Sequence, residues 1–450
     1  MRQYFTPEGE FYVGDCMPFY HDGIFHLFWL LDEEHHGKGD GLGYHQWAHH
    51  STRDLVHWEE HPLALPITED FEASICTGSV FWHEGLYYAF YATRMRNYDQ
   101  HVCLATSEDC VQFTKSERNP IASPQAGYSP KDYRDPFVFR ADDGLFHMIV
   151  STQLEEYPVA ERGGCLAHLT STDLWAWELQ DPFLIPGHMG VPECADYFEW
   201  NGWYYLIFGN WVMTRYRRSR SPFGPWEAPP SDVFEGPQGA VMKTAAFGEN
   251  RRIGVAHLLS ANGSYDESAR VWGGNAAFRE LVQAEDGTLG MKLPAEMTPR
   301  GQRLDVPTSH MLEATEGLGL LSLGSMPADL RLTATVTPLQ PTIAYGVTVR
   351  ASGDYSRGYE ARVSPSQKTL EVRRPLAGPF PAPSPNAIYA VAGLEGPVTL
   401  EIICQGDIVD ICLNESRVLA ARLPQGEEDE LILFCQNGAV RFDDLTVEGL

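Results

Sequence analysis

The sequence predicts an all-β protein, a five-bladed β-propeller followed by a C-terminal β-sandwich, from three observations. A hairpin pattern around a glycine turn occurs four times, at Gly23, Gly85, Gly144 and Gly202, which are 62, 59 and 58 residues apart. An acidic residue four positions before an aromatic one follows three of these hairpins. From His310 onward tryptophan disappears and short alternating strands continue. A strand-rich repeat of about 60 residues is typical of propeller blades.

Each copy supplies about four strands, which is one blade. The pattern of an acidic residue four positions before an aromatic one occurs at Asp54 and Trp58, and again at residues 109–113 and 173–177. A fifth, weaker copy begins at Val241 and continues past Trp272. Five blades then end near Leu304, so we predict a propeller domain at 1–304 and a β-sandwich domain at 305–450. A sandwich of meandering hairpins is the alternative, and the regular spacing disfavours it.

Composition restricts the partners of the chain. It has 450 residues, 43% of them hydrophobic, and a formal net charge of −28, so a globular protein that repels nucleic acid and anionic membranes is expected. A small neutral ligand is compatible with that charge. The N-terminus resembles no signal peptide, and no apolar run approaches the roughly 18 residues that span a bilayer. We therefore expect a soluble, cytoplasmic protein.

The nine cysteines are scattered without CxxC spacing. An odd number without such spacing indicates neither a disulfide framework nor a zinc site. Most of them are therefore predicted to be small buried apolar residues.

Three acidic residues depart from the repeat at nearly the same place. Asp15, Asp135 and Glu193 lie 8, 9 and 9 residues before their turn glycines, whereas the second and fifth copies carry Thr77 and Val241 there. The strand that holds this position lines the central channel of a propeller, so the three carboxyl groups are predicted to converge. Mutual repulsion would raise the pKa of at least one of them.

A protonated carboxyl group beside carboxylates is what glycoside cleavage needs. One group protonates the leaving oxygen, and another attacks the anomeric carbon or activates water. Ion pairing or turn capping is the alternative reading, strongest for Asp135 because Arg134 precedes it directly. Three acids at a shared position favour the catalytic interpretation.

Several motifs at these residues resemble glycoside hydrolase family 32, the invertases, inulinases and levanases. WAHHSTRDLVHW, from Trp47 to Trp58, is similar to that family's WGHAxSxDLxHW phrase, YRDPFVF contains its RDP motif, and PECADYF its EC motif. CTGSV around Thr77 and the WGGNAAFRELVQAEDGTLGMKLPAEM segment from Trp272 also resemble family elements. The resemblance covers the whole propeller, and the family implies the C-terminal sandwich.

The resemblance implies the roles of individual residues. Asp15 would be the nucleophile that forms a fructosyl ester, Glu193 the general acid and then base, and Asp135 a stabiliser that holds sugar hydroxyls. Arg134 would contact the same ring or tune Glu193. Retention of configuration would place the carboxyl groups of Asp15 and Glu193 about 5 to 5.5 Å apart. A small carbohydrate is the implied substrate, with no cofactor and no metal.

Two positions depart from the family pattern. Gly14 stands where the family's NDPNG motif has Asn, and Leu30 stands where a Gln is usual. Both changes remove polar contacts to a fructosyl unit, which could cost several kcal/mol for the usual sugar. A different furanoside or linkage therefore stays open.

Clustered histidines and several tryptophans are further candidates for the site. Nine of the sixteen histidines fall between His21 and His61, including His35 and His36, but loop histidines near a sugar site are more often hydrogen-bond donors than metal ligands. Among the tryptophans, Trp47 is predicted to contact substrate, with Thr77 and Arg134. The tryptophans at 82, 211 and 272 are predicted to be core between blades.

Two alternative functions are also compatible with the sequence. One is a different furanosidase on the same scaffold, such as an inverting arabinofuranosidase, which would also use three acids. The other is a non-catalytic carbohydrate-binding protein in which the acids only hold the ligand.

Overall fold

The computed structural model describes residues 4–8, 11–33, 39–211, 213–233, 235–261, 270–375, 386–423, 426 and 428–450. Over these residues the chain forms 31 β-strands and no helix. None of the described segments is therefore a helix that could cross a membrane. The prediction of an all-β propeller followed by a β-sandwich is confirmed.

The propeller contains the first 20 strands. They are β1 (Tyr4–Phe5), β2 (Tyr12–His21), β3 (Ile24–Asp32), β4 (Gln46–Thr52), β5 (Trp58–Leu65), β6 (Ser74–His83), β7 (Leu86–Arg94), β8 (Gln100–Ser107), β9 (Thr114–Lys115), β10 (Tyr128–Arg140), β11 (Phe146–Leu154), β12 (Gly164–Ser171), β13 (Glu178–Leu179), β14 (Glu193–Trp200), β15 (Trp203–Asn210), β16 (Met213–Ser219), β17 (Gly239–Phe247), β18 (Arg251–Ala261), β19 (Arg270–Gln283) and β20 (Leu289–Lys292).

These strands pair as five antiparallel meanders, the grouping that five blades require. The meanders are β2 to β5, β6 to β9, β10 to β13, β14 to β16 and β17 to β20. Gly274 of β19 pairs with Val13 of β2, and β1 also pairs with β19. The first and fifth meanders thus share one sheet, which joins the two ends of the repeat array into a ring.

The hairpin turns follow from the residues at their tips. Asp22 and Gly23 have φ angles of 49° and 75°, and residues 84–85 and 201–202 repeat this pair of positive values. Two successive positive φ angles define the type I′ turn, which matches the twist of antiparallel strands and favours glycine. Gly144 also has a positive φ, of 83°.

The second repeated phrase caps turns. Asp54 accepts hydrogen bonds from the backbone N–H groups of Val56 and His57, and Asp109 and Asp173 each accept two bonds at the same spacing. These backbone N–H groups hold the pKa of all three carboxyl groups below the usual range. The three acids therefore stabilise blade turns.

The strand that begins each meander carries a bulge at the same place. In β2, β6, β10, β14 and β17, which contact one another around the axis, two residues oppose one residue of the neighbouring strand. The interruptions lie between Val13 and Cys16, Ile75 and Gly78, Arg134 and Phe137, Glu193 and Asp196, and Ala240 and Lys243. Five bulges at one level re-aim the side chains that face the axis.

The sandwich contains the remaining strands. They are β21 (Gln302–Arg303), β22 (His310–Ser325), β23 (Leu330–Pro338), β24 (Ala344–Ala351), β25 (Tyr359–Ser364), β26 (Thr369–Arg373), β27 (Asn386–Ile388), β28 (Val398–Gln405), β29 (Ile408–Leu413), β30 (Arg417–Arg422) and β31 (Glu430–Gly449). The long β31 pairs with β24 near its start and with β23 near its end, so it joins both halves. Because β21 also pairs with β31, the C-terminal sheet begins slightly before the predicted boundary at 304/305.

A buried ion network joins propeller and sandwich. Arg279 of β19 donates to Glu235 at 3.0 Å and lies 3.0 Å from Asp410 of β29, whose carboxylate also accepts a hydrogen bond from Tyr4 at 3.2 Å. Arg279 and Asp410 are fully buried. The network ties the N-terminal strand, the fifth meander and the sandwich together.

The nine cysteines are all buried and free. The predicted burial of most cysteines is therefore confirmed.

Candidate active site

A cavity of about 580 Å³ lies on the propeller axis, and all five inner strands contribute to its wall. They do so through Asp15, Thr77, Asp135, Glu193 and Val241, the five positions marked by the sequence repeat. The structure therefore brings the three predicted acids together in one cavity, with Thr77 between Asp15 and Asp135 in ring order.

The three acids occupy different positions relative to the bulges. Asp15 is the second unpaired residue of its bulge, Asp135 is the first, and Glu193 immediately precedes one. Asp135 has a φ of 57°, and Cys194, the first residue of the next bulge, has a φ of 51°. Spacings of 8, 9 and 9 residues before the turn glycines thus hide a one-residue step per acid relative to the bulges.

Both oxygens of Asp15 have contacts. Thr77 Oγ1 donates to Oδ2 at 2.7 Å, and Cys194 Sγ lies 3.6 Å from the same oxygen. Trp272 Nε1 donates to Oδ1 at 3.1 Å, and Nδ1 of the fully buried His257 lies 3.5 Å from it. The carboxylate, 15% exposed, is therefore held in one orientation at the cavity wall.

Glu193 is the most accessible of the three acids, with 34% of its side chain exposed. Arg134 Nη2 donates to its Oε1 at 2.6 Å. Burial raises the pKa of Glu193, and the guanidinium of Arg134 opposes that rise. A carboxyl group with a raised pKa that faces a cavity is suited to donate a proton.

Asp135 is 2% exposed and accepts a hydrogen bond from the backbone N–H of Cys194 at 2.9 Å. Burial raises its pKa, while Arg134, whose Nε lies 3.7 Å away, and the buried Lys243 act in the opposite direction. Arg134 also donates to Asp132 at 2.6 Å. One guanidinium thus links three carboxyl groups along the cavity wall.

Trp47 does not fit its predicted contact with substrate. Its side chain is fully buried, and its indole N–H donates to the backbone carbonyl of Cys76 at 2.8 Å. It packs against Phe28 and Tyr91 behind the second inner strand. The motif that contains Trp47 therefore supports the wall near Thr77 from the core.

Two tryptophans that were predicted to be core line the cavity instead. Trp272 contacts Asp15, and Trp211, which is 67% exposed, donates its indole N–H to the carbonyl of Met189 at 3.0 Å. Sequence reasoning also missed His257. For Trp272, the available signal was the resemblance of the segment that it begins to the family's last blade.

The departure at Gly14 has a steric explanation. A Cβ atom at this position would lie 2.0 Å from Cη2 and 2.3 Å from Cζ2 of Trp272. Any residue with a side chain, including the Asn of the family pattern, would overlap the indole. Leu30, the second departure, lines the same cavity, so this part of the wall is aromatic and aliphatic.

Three of the clustered histidines, His26, His49 and His61, pack against one another. His26 Nδ1 and His49 Nε2 lie 3.0 Å apart, and the His49 ring stacks on His61 at 4.4 Å. Burial lowers the pKa of His26 to about 4. In the part of the chain that the structure describes, no group of three or more His, Cys, Asp or Glu residues could hold a metal ion. His35 and His36 lie outside the described residues.

Comparison with known proteins finds a family match over part of the chain. A model of the glycosyl hydrolases family 32 N-terminal domain matches residues 5–220, a little less than half of the chain. The sucrose:sucrose 1-fructosyltransferase of Festuca arundinacea is 27% identical over 215 residues, which cover 44% of this chain and 31% of that relative. The levanase of Bacillus sp. (strain L7) is 24% identical over 523 residues, covering 99% and 53%. The chain thus spans about half or less of the length of these curated relatives.

Solved structures agree over nearly the whole fold. Fructan 1-exohydrolase IIa from Cichorium intybus, in complex with 1-kestose, aligns with a TM-score of 0.78 at 16% identity and covers 99% of this chain and 96% of that one. Sucrose-6-phosphate hydrolase from Lactobacillus gasseri aligns at 0.75 and 18%, covering 100% and 93%. At such identities the likeness establishes the propeller and sandwich.

Proposed function

We propose that this chain is a retaining glycoside hydrolase of family 32, the family whose N-terminal domain model matches residues 5–220. It would cleave terminal β-D-fructofuranosyl units of sucrose-like or short fructan oligosaccharides, or transfer them to another hydroxyl. The meeting of Asp15, Asp135 and Glu193 in one cavity carries this proposal. The relatives that are named for fructosyl transfer and levan cleavage support the choice of sugar.

In the first step, one oxygen of Asp15 attacks the anomeric carbon of the fructosyl unit. The bond from that carbon to the leaving oxygen breaks as Glu193 donates its proton to this oxygen. A fructosyl ester on Asp15 and a free alcohol result. Thr77 and Trp272 hold the attacking carboxylate, which reduces the loss of orientational freedom in the transition state.

In the second step, the Glu193 carboxylate removes a proton from water or from an acceptor sugar hydroxyl. The resulting oxygen attacks the anomeric carbon, and the ester bond to Asp15 breaks. Two displacements at one carbon retain its configuration. Arg134, at 2.6 Å, stabilises the carboxylate form of Glu193 between the two steps.

Asp135 would bind ring hydroxyls while positive charge develops on the sugar. Its position on a bulge with a positive φ fixes the carboxyl group against the cavity wall, and the N–H of Cys194 holds one of its oxygens. An acidic group at this place favours a cationic transition state over the neutral ground state.

The test is a substrate panel of fructosides, arabinofuranosides and fructan dianhydrides, read out by released monosaccharide. We expect release of fructose from sucrose or a short fructooligosaccharide. NMR of the first-formed sugar should show the β-anomer, because two displacements retain configuration. The α-anomer would contradict the double displacement and favour an inverting furanosidase. Binding of a fructoside with no turnover would favour a carbohydrate-binding protein.

A further inference from the structure

Trp272 packs directly against Gly14, beside Asp15. The distal ring atoms of Trp272 fill the volume that any side chain at position 14 would need, because a Cβ there would lie 2.0 Å from Cη2 and 2.3 Å from Cζ2. Gly14 does not have a positive φ, so this overlap, and not backbone strain, excludes a side chain there.

The indole is fixed on several sides. His45 stacks on Trp272 with ring centroids 4.5 Å apart and an interplanar angle of 24°, and His257 packs at 5.5 Å. Gly43 leaves room for the His45 ring, because a Cβ there would lie 2.7 Å from His45 Cε1. The ring of Trp272 therefore has little freedom to move away from Asp15.

The outcome of this packing is a directed donor. Trp272 Nε1 donates to Oδ1 of Asp15 at 3.1 Å, while Thr77 and Cys194 contact Oδ2. We propose that Trp272 is a positioning residue for the nucleophile, and that Gly14 is the space that admits it. This inference rests on the proposed function for its catalytic readout.

The chemistry expected of this pair differs from that of an amide at position 14. An Asn would bind a sugar hydroxyl, whereas the indole uses its single donor on the carboxylate and presents carbon atoms to the cavity. Binding energy is thereby moved from the sugar to the orientation of Asp15, which acts on the chemical step more than on substrate affinity.

Trp272→Phe tests the donor. The phenyl ring keeps the stack with His45 but lacks the indole N–H, so we expect kcat to fall roughly ten- to a hundredfold, as for loss of a hydrogen bond to a charged group. KM should change less than roughly threefold. Trp200→Phe is the matched control, because it removes an indole bond of the same 3.1 Å length, to Asn250, outside the cavity.

Gly14→Ala tests the close packing of Gly14 and Trp272 through thermal stability, so this test does not depend on enzymatic activity. In the native background the added methyl should lower the melting temperature by roughly 2 to 6 °C, as overpacking does. In the Trp272→Phe background the two overlapping ring atoms are gone. The decrease in melting temperature should then be half as large or less. A part of it should remain, because the Leu30 carbonyl oxygen lies 2.9 Å from the new Cβ.

The two readouts separate the possible failures. An unchanged kcat in Trp272→Phe overturns the positioning role, and equal losses of melting temperature in both backgrounds overturn the shared space. If the native protein releases no fructose from any fructoside, the proposed function fails, and the kcat comparison then uses whichever glycoside the panel identifies.

Discussion

Two arginines, the fully buried Arg279 and the partly buried Arg134, lie among carboxylates in different parts of the molecule. Arg279 pairs with Glu235 and Asp410 between propeller and sandwich, and all three side chains are at most 1% exposed. Arg134 pairs with Asp132 and Glu193 on the cavity wall, where Glu193 is 34% exposed. The two clusters contain the same residue types, but only the carboxylates around Arg134 are accessible from the cavity.

The comparison shows what marks a functional cluster. Burial raises the pKa of Glu235 and Asp410 as well as that of Asp135 and Glu193. A perturbed pKa alone therefore does not distinguish catalysis from structure. Access to a cavity large enough for a sugar ring does distinguish them, because only acids that face such a cavity can reach a ligand.

The largest expected effect is on activity in the cavity. Asp15→Asn replaces the attacking carboxylate with a neutral amide, so we expect kcat for a fructoside to fall by roughly three to five orders of magnitude. The melting temperature should stay within roughly 2 °C of the native value, since the amide keeps the size of the side chain. Steady-state kinetics and thermal unfolding check both.

Asp142→Asn serves as its control, because Asp142 lies in an exposed hairpin turn. Native-like turnover by the Asp15 variant would remove the nucleophile from the account and leave the two arginine clusters without a functional difference.

The second effect is on stability at the interface. Arg279→Met leaves the carboxylates of Glu235 and Asp410 buried without their cation, so we expect the free energy of unfolding to fall by roughly 3 to 5 kcal/mol. The kcat of the folded fraction should stay native, since Arg279 does not line the cavity. Denaturant unfolding followed by tryptophan fluorescence measures the change.

Arg441→Met is the matched comparison, because its ion pair with Asp443 is exposed. It should cost less than about 1 kcal/mol. Equal losses in the two variants would show that burial of the Arg279 network contributes nothing.

The smallest effect is on pH dependence. Arg134 lowers the pKa of Glu193 against the rise caused by burial, so removing the guanidinium in Arg134→Gln favours the protonated acid and raises that pKa further. A general acid is lost as pH rises through its pKa, and the basic limb of the kcat/KM profile should therefore move up by roughly one pH unit.

Arg162→Gln removes the same charge outside the cavity, where Arg162 donates to the carbonyl of Gly187, and should leave the limb in place. A limb that moves down in Arg134→Gln would show that another group is the acid.

Much of the fold followed from local chemistry in the sequence. The turns at Gly23 and Gly202 require a positive φ, and acids such as Asp54 cap their own turns. The blades can therefore be recognised from local patterns that recur about every 60 residues. The position of the acids before those glycines then predicted the cavity.

The remaining features depend on contacts between distant segments. Trp272 reaches Asp15 because the fifth meander closes onto the first, which no local pattern shows. The motif around Trp47 predicts a contact with substrate, but the side chain is fully buried, which the motif does not show. The one-residue step between the acids arises from bulges, and their register is visible only when strands are paired.

The most direct test of the account is to locate the covalent intermediate. Glu193→Gln, incubated with fructosyl fluoride, needs no acid for the first step and lacks the base for the second. Peptide mass spectrometry should therefore find one hexosyl unit on the peptide that contains Asp15, and none when Asp15→Asn is added. A hexosyl unit on a different peptide, or fluoride release with an inverted sugar and no adduct, would contradict it.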